Sequence, residues 1–115
     1  MKNKEYIEEF LIYEKKIKAL SDNTVKAYNL DLEILLSFSG ERKLDFPSFT
    51  NEDAREFMRK LEKDGRAERS RLRILTCCHT FFTYLEKSGE VDFNPFDSIS
   101  LRSGGRRLPS VLTVE

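Results

Sequence analysis

Residues 66–90 read RAERSRLRILTCCHTFFTYLEKSGE, and the spacing of their apolar positions decides the fold. Ile74, Leu75, Cys78, Phe81, Phe82 and Leu85 recur mostly at intervals of three and four, the period of a helix with one buried face, which predicts a helix from about Ala67 to Ser88. Gly89 is placed to stop it. The opposite face carries Arg66, Arg69, Arg73, Thr76, Thr80 and Thr83, successive members again three or four apart and so on one side. Its opening holds Arg66, Arg69, Arg71 and Arg73 against the single carboxylate of Glu68. Backbone N–H groups already make a helix N-terminus partly positive, so each cation there is unfavourable by roughly a few tenths of a kcal/mol. A polyanion from outside the chain would neutralise both terms at once.

Outward from this helix the same period continues and strand-like alternation is absent. A first helix is predicted from about Lys4 to Ala19, with Tyr6, Phe10, Tyr13 and Ile17 on one stripe, Ile7 and Leu11 beside it, and a solvated Glu/Lys face opposite. Ser21 and Asp22 can cap a second, in which Val25, Tyr28, Leu32, Leu35 and Leu36 lead to Phe38, with Gly40 ending it. The stretch ERKLDFPSF reads as a loop broken by Pro47. Thr50, with Asp53 three residues on, opens a third helix whose apolar face is Ala54, Phe57, Met58 and Leu61 before Gly65. Asn94 and Pro95 can start a short fifth helix through Ser100, and RSGGRRLPS after Leu101 reads as a flexible basic linker. The terminal VLTVE looks like the start of another element, which suggests a piece of a larger protein. The expected architecture is all-α, two helical hairpins packed across each other with a short C-terminal helix, covering residues 1–101, with residues 102–115 a linker and the start of a further domain.

Composition narrows the function. With 115 residues the chain is one domain, and twenty Lys plus Arg balance twenty Asp plus Glu, so only local asymmetry can point to a charged partner. That asymmetry exists: residues 1–65 hold twelve basic and fourteen acidic side chains, residues 66–107 eight basic and five acidic. Cys77 and Cys78 are neighbours, so on a helix they point about 100° apart and suit a reduced core better than a disulfide or metal site. His79 is the single histidine and there is no CxxC, so a structural zinc lacks ligands. No apolar run reaches the roughly 18 residues of a membrane span, and MKNKEYIEEF has no signal-peptide core, so a cytoplasmic protein without a membrane partner is expected. There is no Gly-rich phosphate loop and no nucleophile beside a base. His79 falls between the apolar and polar faces of its helix, and Glu8, Glu9, Glu52 and Asp53 sit on solvated faces or at caps. No enzyme, cofactor or small-molecule substrate is expected of this chain.

The arginine–threonine stripe suits a duplex groove. Arginine offers a two-pronged donor to phosphates or guanine edges, and threonine a hydroxyl and a methyl. The helix N-terminus adds its own attraction for phosphate. Two other readings stand beside it. Arginines on a charged chain can simply be solvated, leaving a helical protein-interaction module whose aromatic first helix docks on a partner. A helix-turn-helix regulator would instead concentrate its polar contacts in a short recognition helix after a tight turn, unlike this long stripe.

LSDNTVKAYNLDLEILLSF, TNEDAREFMRKL, SRLRILTCCHTFFTYLEKSG, NPFDSI and RRLPSVLTVE, in that order and spacing, resemble the N-terminal core-binding domain of Xer-type tyrosine recombinases of the phage integrase family. The resemblance runs from about Tyr6 over nearly the whole chain, with Asn23, Thr24, Tyr28, Asp31, Leu32, Asn94 and Pro95 its more specific positions. It implies a four-helix SAM-like domain that grips one face of double-stranded DNA while a C-terminal catalytic domain grips the other, in site-specific recombination or integration of the chromosome-segregation type. It places Asn23, Thr24 and Lys26 near phosphates, Arg69, Ser70, Arg73, Thr76 and Thr80 against the duplex with Arg66 at the head of the stripe, and Arg106 and Arg107 in the basic linker. It further implies that the first helix contacts other protomers of a tetramer, with Tyr6, Phe10 and Tyr13 serving that contact as well as the core. The family's catalytic arginines, lysine, histidines and tyrosine would lie beyond Glu115, so Tyr6, Tyr13, Tyr28 and Tyr84 are not nucleophiles. His79 departs from the pattern, standing where an arginine is common.

Overall fold

The structure, a computed structural model, describes residues 2–97 and 99. Among these it contains helices and turns and no strand: α1 (Asn3–Lys16), α2 (Asp22–Arg42), α3 (Asn51–Lys63) and α4 (Glu68–Lys87), with one 3₁₀ turn at Phe46–Ser48. α1 packs on α2, α3 on α4, and the two pairs meet through α2 against α4 and α1 against α4. This is the expected all-α arrangement.

Local chemistry sets the helix starts. Ser21 Oγ accepts the Thr24 N–H at 3.2 Å and opens α2. At α3, Thr50 Oγ1 accepts the Asp53 N–H at 3.1 Å while the Asp53 carboxylate accepts the Thr50 N–H at 3.0 Å, a reciprocal capping box. α4 differs: it follows Gly65, whose φ is 84°, and the methyl side chain of its N-cap Ala67 cannot accept a hydrogen bond. Its first N–H groups therefore have no side-chain cap among the described residues.

The core is built of phenylalanine. Phe46 lies 5.1 Å from Phe81 and 5.7 Å from Phe82 between ring centroids, Phe10 lies 5.3 Å from Phe81, and Phe49 stacks on Phe96 at 6.0 Å. Every apolar residue predicted for the inner face of α4 is buried, and Cys77 joins them. Both cysteines are free thiols. Burial, aided by the nearby Asp31 carboxylate, pushes the Cys77 thiol up to about 12.

Several expectations need correction. The stretch read as a loop carries two core residues, Phe46 on its 3₁₀ turn and Phe49 just after it. It is stitched to the start of α1, where Asn3 donates to the Leu44 carbonyl at 2.8 Å and accepts the Phe46 N–H at 3.0 Å. Gly40 does not end α2, which runs on to Arg42 before Lys43 turns left-handed at φ 56°. A mid-helix glycine costs about 1 kcal/mol relative to alanine, which helix packing readily offsets. α1 stops at Lys16 and the chain reverses through Ala19 at φ 56°, leaving Ile17 70% exposed instead of on the buried stripe. Glu14, expected on the solvated face, is 1% exposed. Asn94 to Asp97 form a turn and not a helix: Asn94 Oδ1 takes the Phe96 N–H at 2.9 Å, and its amide donates at 3.0 Å to both the His79 carbonyl and Thr83 Oγ1. Such a side chain competes with helical bonding. The rest of the predicted fifth helix, at Ser98 and Ser100, lies outside the described residues, as do the domain boundary after Leu101 and the linker with Arg106 and Arg107.

Candidate nucleic-acid interface

Arg69, Arg73, Thr76, Thr80 and Thr83 of the predicted stripe lie on α4 and Arg66 just before it, but the members are not equivalent. Arg66 and Arg69 are exposed, and their guanidinium groups make no hydrogen bond or ion pair with any described residue. Arg71 donates to the Arg66 carbonyl at 2.7 Å, satisfying a backbone acceptor just before α4 begins. Arg73 is not a free cation. Its Nη2 donates to Asp31 Oδ1 at 2.9 Å and its Nε to Asp31 Oδ2 at 3.2 Å, a two-pronged pair that raises the guanidinium pKa further. Ser70 is half-buried.

The threonines are committed in a different way. Thr76 Oγ1 donates to the Leu72 carbonyl at 3.0 Å, Thr80 to the Thr76 carbonyl at 3.0 Å and Thr83 to the His79 carbonyl at 2.9 Å. Their hydroxyl hydrogens are spent inside the helix. What they turn outward is a methyl and oxygen lone pairs, suited to a base edge and unsuited to an acceptor-only phosphate oxygen.

α2 supplies the second element. Cys77 Sγ donates to the Tyr28 carbonyl at 3.7 Å, and Asp31 holds Arg73. These two links run in opposite chain directions, so α2 and α4 are antiparallel where they meet. Asn23, Thr24 and Lys26 accordingly lie beyond the crossing towards Thr80, with Arg66 and Arg69 towards the other end. Asn23 and Lys26 are exposed, and Lys26 has no partner among the described residues. Thr24 Oγ1 lies 3.0 Å from Ser21 Oγ within the cap. Asp22 in the same turn pairs with Lys15 at 3.1 Å.

His79 points towards the C-terminal turn, its Nε2 lying 2.7 Å from Asp97 Oδ1. Among the described residues no group of three or more His, Cys, Asp or Glu could hold a metal, and no helix is long and apolar enough to cross a membrane. The surface thus pairs cations that have no ion-pair partner among the described residues, Lys26 on α2, Arg66 just before α4 and Arg69 on it, with a helix start lacking a side-chain cap, and between them lies a guanidinium held by a buried carboxylate.

Residues 7–89 match the profile of the phage integrase N-terminal SAM-like domain. The chain belongs to the tyrosine recombinase family. Within that family it is 34% identical to tyrosine recombinase XerD of Listeria innocua over 92% of this chain and 35% of the relative. It is 32% identical to tyrosine recombinase XerC of Oceanobacillus iheyensis over 96% of this chain and 36% of the relative. To tyrosine recombinase XerC of Pseudomonas putida it is 26% identical over 97% of this chain and 38% of the relative. The chain therefore spans a little over a third of the length of these recombinases. No solved structure is a significant match.

Asp31 was legible as a family position but not as a site residue. The signal was present: it stands three residues after Tyr28 and four before Leu35, an acid on the buried stripe of α2.

Proposed function

We propose that this chain is the DNA-gripping domain of a Xer-like site-specific recombinase, cytoplasmic and of the chromosome-segregation type, and that it holds the duplex without cutting it. The observation that carries this reading is the set of exposed cations Lys26, Arg66 and Arg69, unpaired among the described residues, on α2, just before α4 and on α4. Phosphate contact supplies most of the affinity and none of the sequence choice. Lys26, Arg66 and Arg69 serve as phosphate contacts, helped by Asn23, Thr24 and Ser70. Arg73, Thr76 and Thr80 face the bases, and Arg106 and Arg107 continue the contact beyond the described residues. Strand cleavage, without a cofactor or small-molecule substrate, belongs to a catalytic domain that closes the clamp from the other side.

The protomer contact through α1 takes a different form from the one implied by the aromatic stripe. Tyr6 and Phe10 are buried and Tyr13 packs on Tyr84 at 4.9 Å, whereas Ile12 and Ile17 are 55% and 70% exposed. These isoleucines, Ile12 on α1 and Ile17 just past its end, are the side chains we propose for the contact with a neighbouring copy.

The test is charge reversal. Lys26→Glu with Arg69→Glu is expected to weaken binding of the full chain to a labelled duplex by at least tenfold at low salt, since each lost phosphate contact is on the order of 1 kcal/mol, with helical circular dichroism unchanged. Equal binding by the double variant and the parent overturns the assignment of this surface.

A further inference from the structure

Arg73 is doubly unusual among the exposed arginines of α4: it is oriented by two hydrogen bonds, and its partner is buried. The Asp31 side chain is 2% exposed and that of Arg73 62%. The carboxylate approaches along the Nε side of the guanidinium, using Nε–H and one hydrogen of Nη2. A guanidinium has five N–H donors in a rigid plane, so both hydrogens of Nη1 and one of Nη2 remain. The outer edge, Nη1 and Nη2 together, is a free fork of two parallel donors.

The pair with Asp31 changes what that fork is good for. A free arginine attracts any phosphate through its charge. Here the charge is largely answered by a carboxylate 2.9 Å away, while rotation of the side chain is locked. A locked pair of donors gains most from two acceptors at fixed spacing, and although two phosphate oxygens also offer these, compensation of the charge by Asp31 removes most of the anion's advantage over a neutral base edge. Guanine N7 and O6 are such a pair in the major groove, and no other base presents two acceptors there. The next turn agrees, because Thr76 has given its hydroxyl hydrogen to the Leu72 carbonyl and so turns outward the groups that suit a base edge.

We infer that Arg73 reads a guanine in the bound duplex and that Asp31 is the positioning residue that aims it. The inference rests on the proposed DNA-gripping role and goes further by naming which side chain chooses sequence and for which base. Lys26, Arg66 and Arg69 hold the backbone on either side.

The experiment selects the full chain against a duplex pool with a randomised central segment, then measures affinity for the enriched duplex. One enriched position should be guanine, and replacing it there with 7-deazaguanine, which lacks the N7 acceptor, should weaken binding on the order of ten- to hundredfold. Arg73→Lys keeps the charge and loses the fork, so it should abolish enrichment at that position alone. Asp31→Asn should also lose the guanine preference while binding unselected duplexes as well as or better than the parent, because one negative charge is gone. A role for Asp31 in merely tying α2 to α4 predicts instead that all duplexes weaken together, with a lower melting temperature. The inference is overturned if no guanine is enriched, if 7-deazaguanine binds equally, or if Arg73→Lys keeps the preference. Failure of the parent chain to bind any duplex overturns the proposed function itself, whereas binding without guanine choice overturns only this step.

Discussion

Asp31 and Glu14 are two acids buried on helices, and they meet opposite ends. Asp31 is held by both prongs of Arg73. Glu14 has neither carboxylate oxygen hydrogen-bonded within the described residues, and Lys18, half-exposed at 3.6 Å, is its nearby counter-charge. A buried charge without hydrogen bonds is costly, and a carboxylate in the last turn of α1 also faces the negative end of the helix dipole. Glu14→Gln is therefore expected to stabilise the chain by about 1 kcal/mol, raising the thermal midpoint by roughly 4–8 °C. A lowered midpoint would mean that Lys18 more than compensates the burial. In the sequence Glu14 reads as part of the solvated Glu/Lys face, although it falls four residues after Phe10, as Asp31 falls three after Tyr28, each in line with an apolar stripe. The partner of Asp31 could not be read there, because it is 42 residues away and only the packing of α2 on α4 brings it near.

At the scale of elements, what could be read was whatever is written in local chemistry. Period located all four helices, helped by the caps at Ser21 and Thr50 and by Gly65 and Gly89, because a helix satisfies its own backbone and its apolar stripe repeats regardless of neighbours. The errors fall where tertiary packing decides. Phe46 and Phe49 lie in a stretch with no helical period, yet the core needs their rings, and Asn3 fixes the turn that delivers them. Gly40 looked like a stop, but nothing in the geometry of α2 requires one there. The same logic makes the capping box at α3 a measurable contribution: Thr50→Ala removes the acceptor for the Asp53 N–H and should destabilise the domain by about 1 kcal/mol in a urea titration. A change below a few tenths would show that the start of α3 is held by packing alone.

Over the whole molecule the balanced charge of twenty against twenty conceals an uneven surface. The order of segments made the family legible, and the period of α4 made its outward stripe legible. Which stripe arginines are free was not, because Arg73 and Arg69 are chemically identical in sequence and differ only in having a buried carboxylate within reach. On the proposed reading the surface divides the labour, with cations unpaired among the described residues for the backbone and a restrained fork between them for a base edge. Its central claim is that this domain alone recognises duplex DNA mainly through phosphates. The most direct measurement is a fluorescence-polarisation titration of the full chain against a short duplex at increasing salt. With about three to five phosphate contacts, affinity should be on the order of micromolar or weaker at physiological salt and fall roughly forty- to five-hundredfold between 50 and 200 mM. No binding at the lowest salt, or an affinity indifferent to salt across that range, would contradict the account.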